Sequence, residues 1–98
     1  MFDQLTYEQC VELINSDFSV KDSDGKISLR LVEVENLGET GESTSFSLRF
    51  LDPSENRIEQ GTYTLVTSKG EESLVFLVPI EQRKDGRILE AVFNRSAF

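Results

Sequence analysis

The sequence predicts an α+β domain that is mainly β. The predicted architecture is an antiparallel six-stranded meander, rolled into a small barrel or half-barrel, with a short N-terminal helix packed as a lid. Two observations predict the strands and their direction: six segments alternate like strands, and the short turns between them leave no room for crossover helices. A third is that residues 73–80 (SLVFLVPI) are apolar in both strand registers, which predicts a central strand covered on both faces.

The length of the chain predicts one domain, spanning residues 1–98. A typical domain has roughly 100–150 residues, and a chain of this size can close one core without disulfides or metals. The 38% hydrophobic content and nine aromatic residues are those of a folded chain rather than a disordered one. Cys10 is the single cysteine, which excludes an internal disulfide and favours a reducing compartment.

The N-terminal segment carries the pattern of a short helix. Thr6 and Gln9 match a capping box, in which two side chains bond backbone N–H groups at the helix start. Asn15 and Ser16 are poor helix formers and predict its end. The residues between them form one apolar stripe at helical spacing: Tyr7, Cys10, Val11 and Ile14.

The first half of the chain predicts three strands. A short extended piece at 18–20 is followed by a polar turn whose Asp24-Gly25 is a hairpin signal. Residues 27–35 alternate, but the phase changes at Leu31-Val32, which predicts a β-bulge or bend. Residues 36–43 (NLGETGES) predict a mobile loop, and residues 44–51 predict a half-exposed strand.

The second half predicts three more strands. A turn at 52–56 precedes the fourth strand, which begins at Gly61. The central strand, 73–80, has Pro79 near its predicted end, where the loss of one backbone donor is tolerable. Asp85-Gly86 is a second hairpin signal and leads into the last strand, which alternates between two apolar sets up to Phe93.

The net charge of −8 restricts the partners. Residues 1–60 hold 13 acidic and 5 basic residues, and residues 61–98 hold 5 of each. Proteins bind nucleic acid or an anionic membrane surface through clustered Lys and Arg side chains. The acidic charge of this chain therefore disfavours both as partners. We expect a protein partner, and the acidic charge allows a basic one. We find no basic and apolar leader pattern and no apolar run of about 20 residues, so we expect a soluble, cytoplasmic protein.

The residues that usually carry catalysis are scarce. The chain has no histidine, which excludes Ser-His and Cys-His nucleophile systems and the commonest metal ligand. Residues 22–27 resemble part of a calcium loop, but the first and twelfth loop positions would be Val20 and Leu31 instead of carboxylates. We therefore expect no enzyme, no cofactor and no metal site.

One acidic group is the candidate partner-binding site: Glu33, Glu35, Glu39 and Glu42. The alternative interpretation is an ordinary solvated strand end and loop. Glycoside hydrolysis by paired carboxylates would need an aromatic cleft, usually with Trp, and the chain has no Trp. Glu90 lies between apolar neighbours, which predicts a cross-strand ion pair with Arg49 or Arg87.

Several stretches carry a resemblance that covers most of the chain. They are FDQLT at 2–6, FSLRF at 46–50, QGTYTL at 60–65, FLVPI at 76–80 and EAVFN at 90–94. In this order the chain resembles a family of small bacterial domains, about 100 residues long and of uncharacterised function. The resemblance implies a soluble β-rich domain without known catalytic residues. It also implies an association with phage-tail-like collar genes for some members.

Three function classes follow from these patterns. The first is a non-enzymatic protein-binding or assembly accessory domain, which requires an edge strand or apolar patch. The resemblance links this class to phage-tail-like particles. The alternative is an acidic inhibitor or nucleic-acid mimic that binds a basic protein, which requires ordered carboxylates on one face. The last is an enzyme or small-ligand carrier, which requires a polar interior cavity.

Overall fold

The computed structural model of the chain describes residues 2, 5–23, 26–39, 43–53 and 58–96, and side chains for all of these except 39, 43, 44, 95 and 96. It confirms a mainly β domain with six antiparallel strands and one short helix. The elements, in chain order, are α1 (Tyr7–Val11), β1 (Asp17–Val20), β2 (Ser28–Glu39), β3 (Ser43–Asp52), β4 (Gly61–Val66), β5 (Glu72–Arg83) and β6 (Gly86–Ser96).

The six strands close into a ring in the order β1-β2-β3-β6-β5-β4. Consecutive strands pair within each half of the chain, whereas at the join β3 pairs with β6 and β4 with β1, an order that the sequence left open. The join pairs strands of similar length. β3 and β6 have 10 and 11 residues and pair along ten positions, whereas the shorter β1 and β4 pair with each other. Matching long strands to long ones satisfies the most backbone donors and acceptors.

The predicted two-sided cover of residues 73–80 is wrong. In β5, Ser73, Val75 and Leu77 are buried, whereas Leu74 is 69% exposed and Phe76 is 52% exposed. The reason is that the ring is a single layer of strands. Its inner face encloses the core, and no second sheet covers β5 from outside.

Three register shifts interrupt the long strands. The predicted bulge is confirmed, because the β2–β3 register shifts between Leu31 and Glu33, and it shifts again between Asn36 and Gly38. The third shift lies between Pro79 and Glu81 in β5, which continues to Arg83 instead of ending near Pro79 as predicted. Proline lacks a backbone donor, so a bulge accommodates it within a strand.

Part of the loop predicted at 36–43 is strand, and residues 40–42 lie outside the described residues. Residues 36–39 belong to β2, which runs to Glu39, and β3 begins at Ser43. The β2–β3 pairing also continues through Gly38, which faces Ser45. The Asp24-Gly25 hairpin signal and residues 54–56 of the predicted 52–56 turn lie outside the described residues.

The N-terminal helix has the predicted cap and a smaller extent. Gln9 N–H donates to Thr6 Oγ1, and Thr6 N–H donates to Gln9 Oε1, so the capping box is present. The helix ends at Val11 and a turn continues to Asn15, whose φ of 78° ends the helical pattern. Backbone hydrogen bonds between residues 15–16 and Leu31 then fix this segment to β2. Cys10 is the buried helix residue, and it places α1 on the core as predicted.

Aromatic rings fill the centre of the ring of strands. Phe2 is fully buried, with its ring centroid 5.4 Å from that of Phe18 and 6.1 Å from those of Phe50 and Phe93. Its backbone N–H donates to the buried Ser73 hydroxyl. Phe2 therefore packs deeply in the core beside the helix that was predicted to act as the lid.

The contrast between Phe2 and Phe76 gives a stability test. We expect Phe2→Ala to lower the free energy of unfolding by about 3–5 kcal/mol, the usual cost of deleting a buried ring. Phe76→Ala removes the same atoms from an exposed position and should cost about 1 kcal/mol, mostly through strand propensity. Urea denaturation measures both. Equal losses would contradict the assignment of Phe76 to the outer face.

A second stability test concerns Gly86, at the start of β6. A Cβ at this position would overlap the carbonyl oxygen of Asp52 and lie 2.9 Å from Cα of Pro53. Gly38 has a similar φ, +143° against +150°, but open space around it. We expect Gly86→Ala to cost about 1–3 kcal/mol more than Gly38→Ala, the range for overpacking. Thermal or urea unfolding of the two variants checks this, and equal costs would contradict the close approach.

Candidate functional site

One guanidinium organises the outer face where β2, β3 and β6 lie side by side. Arg49 on β3 is paired in register with Glu33 on β2 and with Glu90 on β6. Glu35 lies two residues beyond Glu33, so its side chain is on the same face. We call Glu33, Glu35 and Glu90 the carboxylate triad.

Arg49 contacts every member of the carboxylate triad. Its Nη1 lies 2.9 Å from Glu33 Oε1, its Nε lies 3.1 Å from Glu90 Oε2, and its Nη2 bonds Glu35 Oε2. The hydroxyl of the buried Ser47 donates to Glu90 Oε2 over 2.9 Å. The predicted ion pair between Glu90 and Arg49 is therefore confirmed.

The environment of Arg49 has opposing effects on its pKa. Desolvation by burial lowers the pKa of Arg49, and hydrogen bonds to Glu90, Glu33 and Glu35 together outweigh it, so that the net shift is upward. The guanidinium thus stays charged at every relevant pH. Three carboxylates face one cation, which leaves the cluster with a formal charge of −2.

The four predicted site residues do not form one described cluster. The structure brings Glu33 and Glu35 together at Arg49. Glu39 ends β2, where its backbone faces Thr44, and its side chain is outside the described set. Glu42 lies outside the described residues altogether. The prediction did not place Glu90 with these acids.

Large apolar side chains lie exposed on the same outer face. Leu74 and Phe76 point outward from β5, and Val92, which is 50% exposed, points outward from β6. Val78, which is half-buried, follows Phe76 on the same face of β5. We call Leu74, Phe76 and Val92 the apolar strip.

Sequence reasoning assigned Leu74 and Phe76 to the core and so missed the apolar strip. The available signal was the absence of any other element to form a second layer. With one short helix and six strands, only one face of the sheet can be covered when the sheet closes. One of the two apolar registers of residues 73–80 must then face outward.

The strand register joins the carboxylate triad and the apolar strip into one surface. One row of paired residues runs Glu33, Arg49, Glu90, Val78 across four neighbouring strands. The next row on this face pairs Glu35 with Ser47 and Ser47 with Val92. Facing residues on adjacent strands have Cβ atoms about 4.5–5.5 Å apart, so the carboxylates border the apolar side chains directly.

Other kinds of site have little support from the geometry. Among the described residues, the inward side chains form an aromatic and aliphatic core. In the part of the chain that the structure describes, no group of three or more His, Cys, Asp or Glu residues is arranged to hold a metal ion. None of the described helical segments is long and apolar enough to cross a membrane.

The fold and this surface define a small antiparallel β domain with a mixed acidic and apolar outer face. The chain belongs to the family described as Domain of unknown function (DUF6916), whose model matches residues 5–93. The match confirms that the motifs belong to a small uncharacterised family. Searches of curated proteins and of solved structures found no match.

The burial of the Arg49 cluster gives a prediction about its energetics. The Arg49–Glu90 and Lys21–Glu72 pairs have the same N–O distance, 3.1 Å, but Arg49 is 21% exposed and Lys21 is 50% exposed. A double-mutant cycle with Arg49→Met and Glu90→Gln should give a coupling energy of about 1–2 kcal/mol, between the values for exposed and buried pairs.

The matched cycle uses Lys21→Met and Glu72→Gln, and we expect no measurable coupling there because solvent screens that pair. Urea unfolding of the wild type, the single variants and the double variants provides both values. A coupling at Arg49–Glu90 no larger than that at Lys21–Glu72 would contradict the view that the cluster is a structural anchor.

Proposed function

We propose that this protein is a non-enzymatic protein-binding or assembly domain, and that the apolar strip contacts its partner. The observation that carries the proposal is the exposure of Leu74, Phe76 and Val92 on two adjacent strands. Contiguous apolar patches on a soluble domain are typical of interaction sites. Aromatic side chains are also enriched among the residues that dominate binding energy.

The proposed mode of binding uses side chains of the outer face. Each described strand pairs with two neighbours, although the β5–β6 pairing spans only residues 78–83 and 86–90. We place the partner on the outer face, where it covers the exposed apolar side chains. Leu74 and Phe76 supply anchors that lose water on contact, which is the main favourable term in association.

The alternative, an acidic inhibitor or nucleic-acid mimic, draws support from the net charge of −8. The geometry favours it less. Arg49 neutralises one of the three charges of the carboxylate triad, and the exposed apolar strip beside the triad is not a feature that a mimic needs. The same acidic surface makes nucleic acid and anionic membrane poor partners. An assembly role in a phage-tail-like particle, with synthesis in the cytoplasm, is the specific form of the first proposal.

A comparison of captured proteins tests the proposal. Tagged wild-type protein and the Leu74→Ser, Phe76→Ser double variant are incubated with lysate of the source cell, and bound proteins are identified by mass spectrometry. We expect a protein that binds the wild type and is reduced about tenfold or more on the double variant, since truncation of an apolar anchor commonly costs above about 1.4 kcal/mol. Repeating the capture at high salt separates apolar from charged contacts.

Val11→Ser provides the matched control, because Val11 is a partly exposed apolar residue on α1 and not on the apolar strip. It should retain the captured protein. If wild type and double variant capture the same proteins in the same amounts, the apolar strip is not the binding surface. A particle component retained at high salt would favour the assembly role, and a basic protein lost at high salt would favour the inhibitor.

A further inference from the structure

We infer that the apolar strip and the carboxylate triad form one contact surface, and that the partner segment seated on it carries Lys or Arg side chains beside its apolar ones. This inference rests on the proposed function and deepens it by naming the chemistry of the partner. The apolar strip and the carboxylate triad lie on neighbouring strands.

The first step is the proximity of charge and apolar surface. Glu90 is paired in register with Val78, the half-buried residue that follows Phe76 on the outer face of β5. Val92 is paired with Ser47, which in turn is paired with Glu35. A partner side chain that covers Val78 or Val92 therefore lies beside Glu90 on β6 and near Glu35 on β2.

The second step is the unused capacity of these carboxylates. Arg49 contacts one oxygen of Glu33 and one of Glu35, and a carboxylate can accept about four hydrogen bonds through its two oxygens. The side chains of Glu33 and Glu35 are 47% and 46% exposed, whereas Arg49 lies beneath them. The accessible part of the cluster is therefore negative and can accept N–H groups from a cation.

The third step concerns the other border of the apolar strip. On β4, Thr62 faces Phe76 and Thr64 faces Leu74, so this side carries no charge. Beyond Leu74 on β5 lies Glu72, whose charge is matched by Lys21. The only charge excess along the described borders of the strip is negative.

This charge distribution selects among possible occupants. A second copy of the chain would bring two clusters of formal charge −2 into one interface, and like-charge contacts of this kind disfavour association. A neutral apolar segment would leave the triad partly desolvated without a partner. A segment with both apolar and basic side chains satisfies both parts of the surface.

The test uses three synthetic peptides that share a leucine-rich face and differ only in the polar face, which is Lys, Gln or Glu. Each is titrated into the ¹⁵N-labelled full chain and followed by heteronuclear NMR. We expect the Lys peptide to shift amide signals of residues 74–78 and 90–92 and to bind at least about threefold tighter than the Gln peptide. Its affinity should fall as NaCl rises from about 0.05 to about 0.5 M, because the Debye length shortens.

Variants separate site-specific attraction from the overall negative charge. Glu33→Gln with Glu35→Gln should weaken the Lys peptide roughly three- to tenfold. Glu8→Gln with Glu12→Gln removes the same charge from exposed positions in and just after α1, and should change affinity about twofold or less. Equal weakening by the two double variants would overturn the inference, as would shifts centred away from the strip.

The outcomes also distinguish this inference from the proposed function. If the Gln and Glu peptides bind residues 74–78 as tightly as the Lys peptide does, the inference that the partner needs basic side chains is wrong. The proposal that a protein binds through the apolar strip then stands. If none of the peptides shifts these residues, the inference is wrong, and the capture experiment with the Leu74→Ser, Phe76→Ser variant decides the proposed function independently.

Discussion

Closure of a single sheet into a ring is the constraint on which the rest of this structure depends. The β3–β6 pairing joins two three-stranded meanders along ten residue pairs, and the shorter β1–β4 pairing completes the ring. Closure gives each strand two paired neighbours and encloses one core, so each strand has one inward set of side chains. The other set of side chains on each strand faces outward. The positions of the carboxylate triad and the apolar strip are consequences of that geometry.

The outer face is held where the β3–β6 pairing joins the two halves. Arg49 extends from β3 to carboxylates on both neighbouring strands, and Ser47 adds a hydrogen bond to Glu90. Such a cluster links β2, β3 and β6 through side chains in addition to the backbone ladder. Its partial burial makes the ion pairs worth more than those at fully solvated positions. The same cluster concentrates negative charge next to Val78 and Val92, so the proposed binding surface contains a structural anchor.

Local patterns predicted much of this fold. The Thr6–Gln9 capping box, the bulge after Leu31 and the Glu90–Arg49 pair follow from spacing and alternation, and the structure contains all three. Strand order could not be predicted in this way, because it depends on which distant strands match in length. The burial of residues 73–80 was mispredicted for the same reason. The two apolar registers indicate that both faces of the strand are apolar, but the number of faces that are covered depends on the topology of the whole sheet. Two of the four acids singled out from sequence, Glu33 and Glu35, belong to the carboxylate triad. The apolar strip was not predicted from sequence, because it depends on closure of the sheet.

The residues on β4 show that the apolar strip is not required by the sheet itself. Thr62 and Thr64 occupy the outward positions directly opposite Phe76 and Leu74, on the same face of the ring. Threonine has high strand propensity and remains compatible with water, so it satisfies an exposed strand position at no cost in exposed apolar area. Threonine could serve equally at 74 and 76. The presence of Leu and Phe there leaves a hydrophobic surface that folding does not use, and coverage by another molecule is the interaction that would stabilise it.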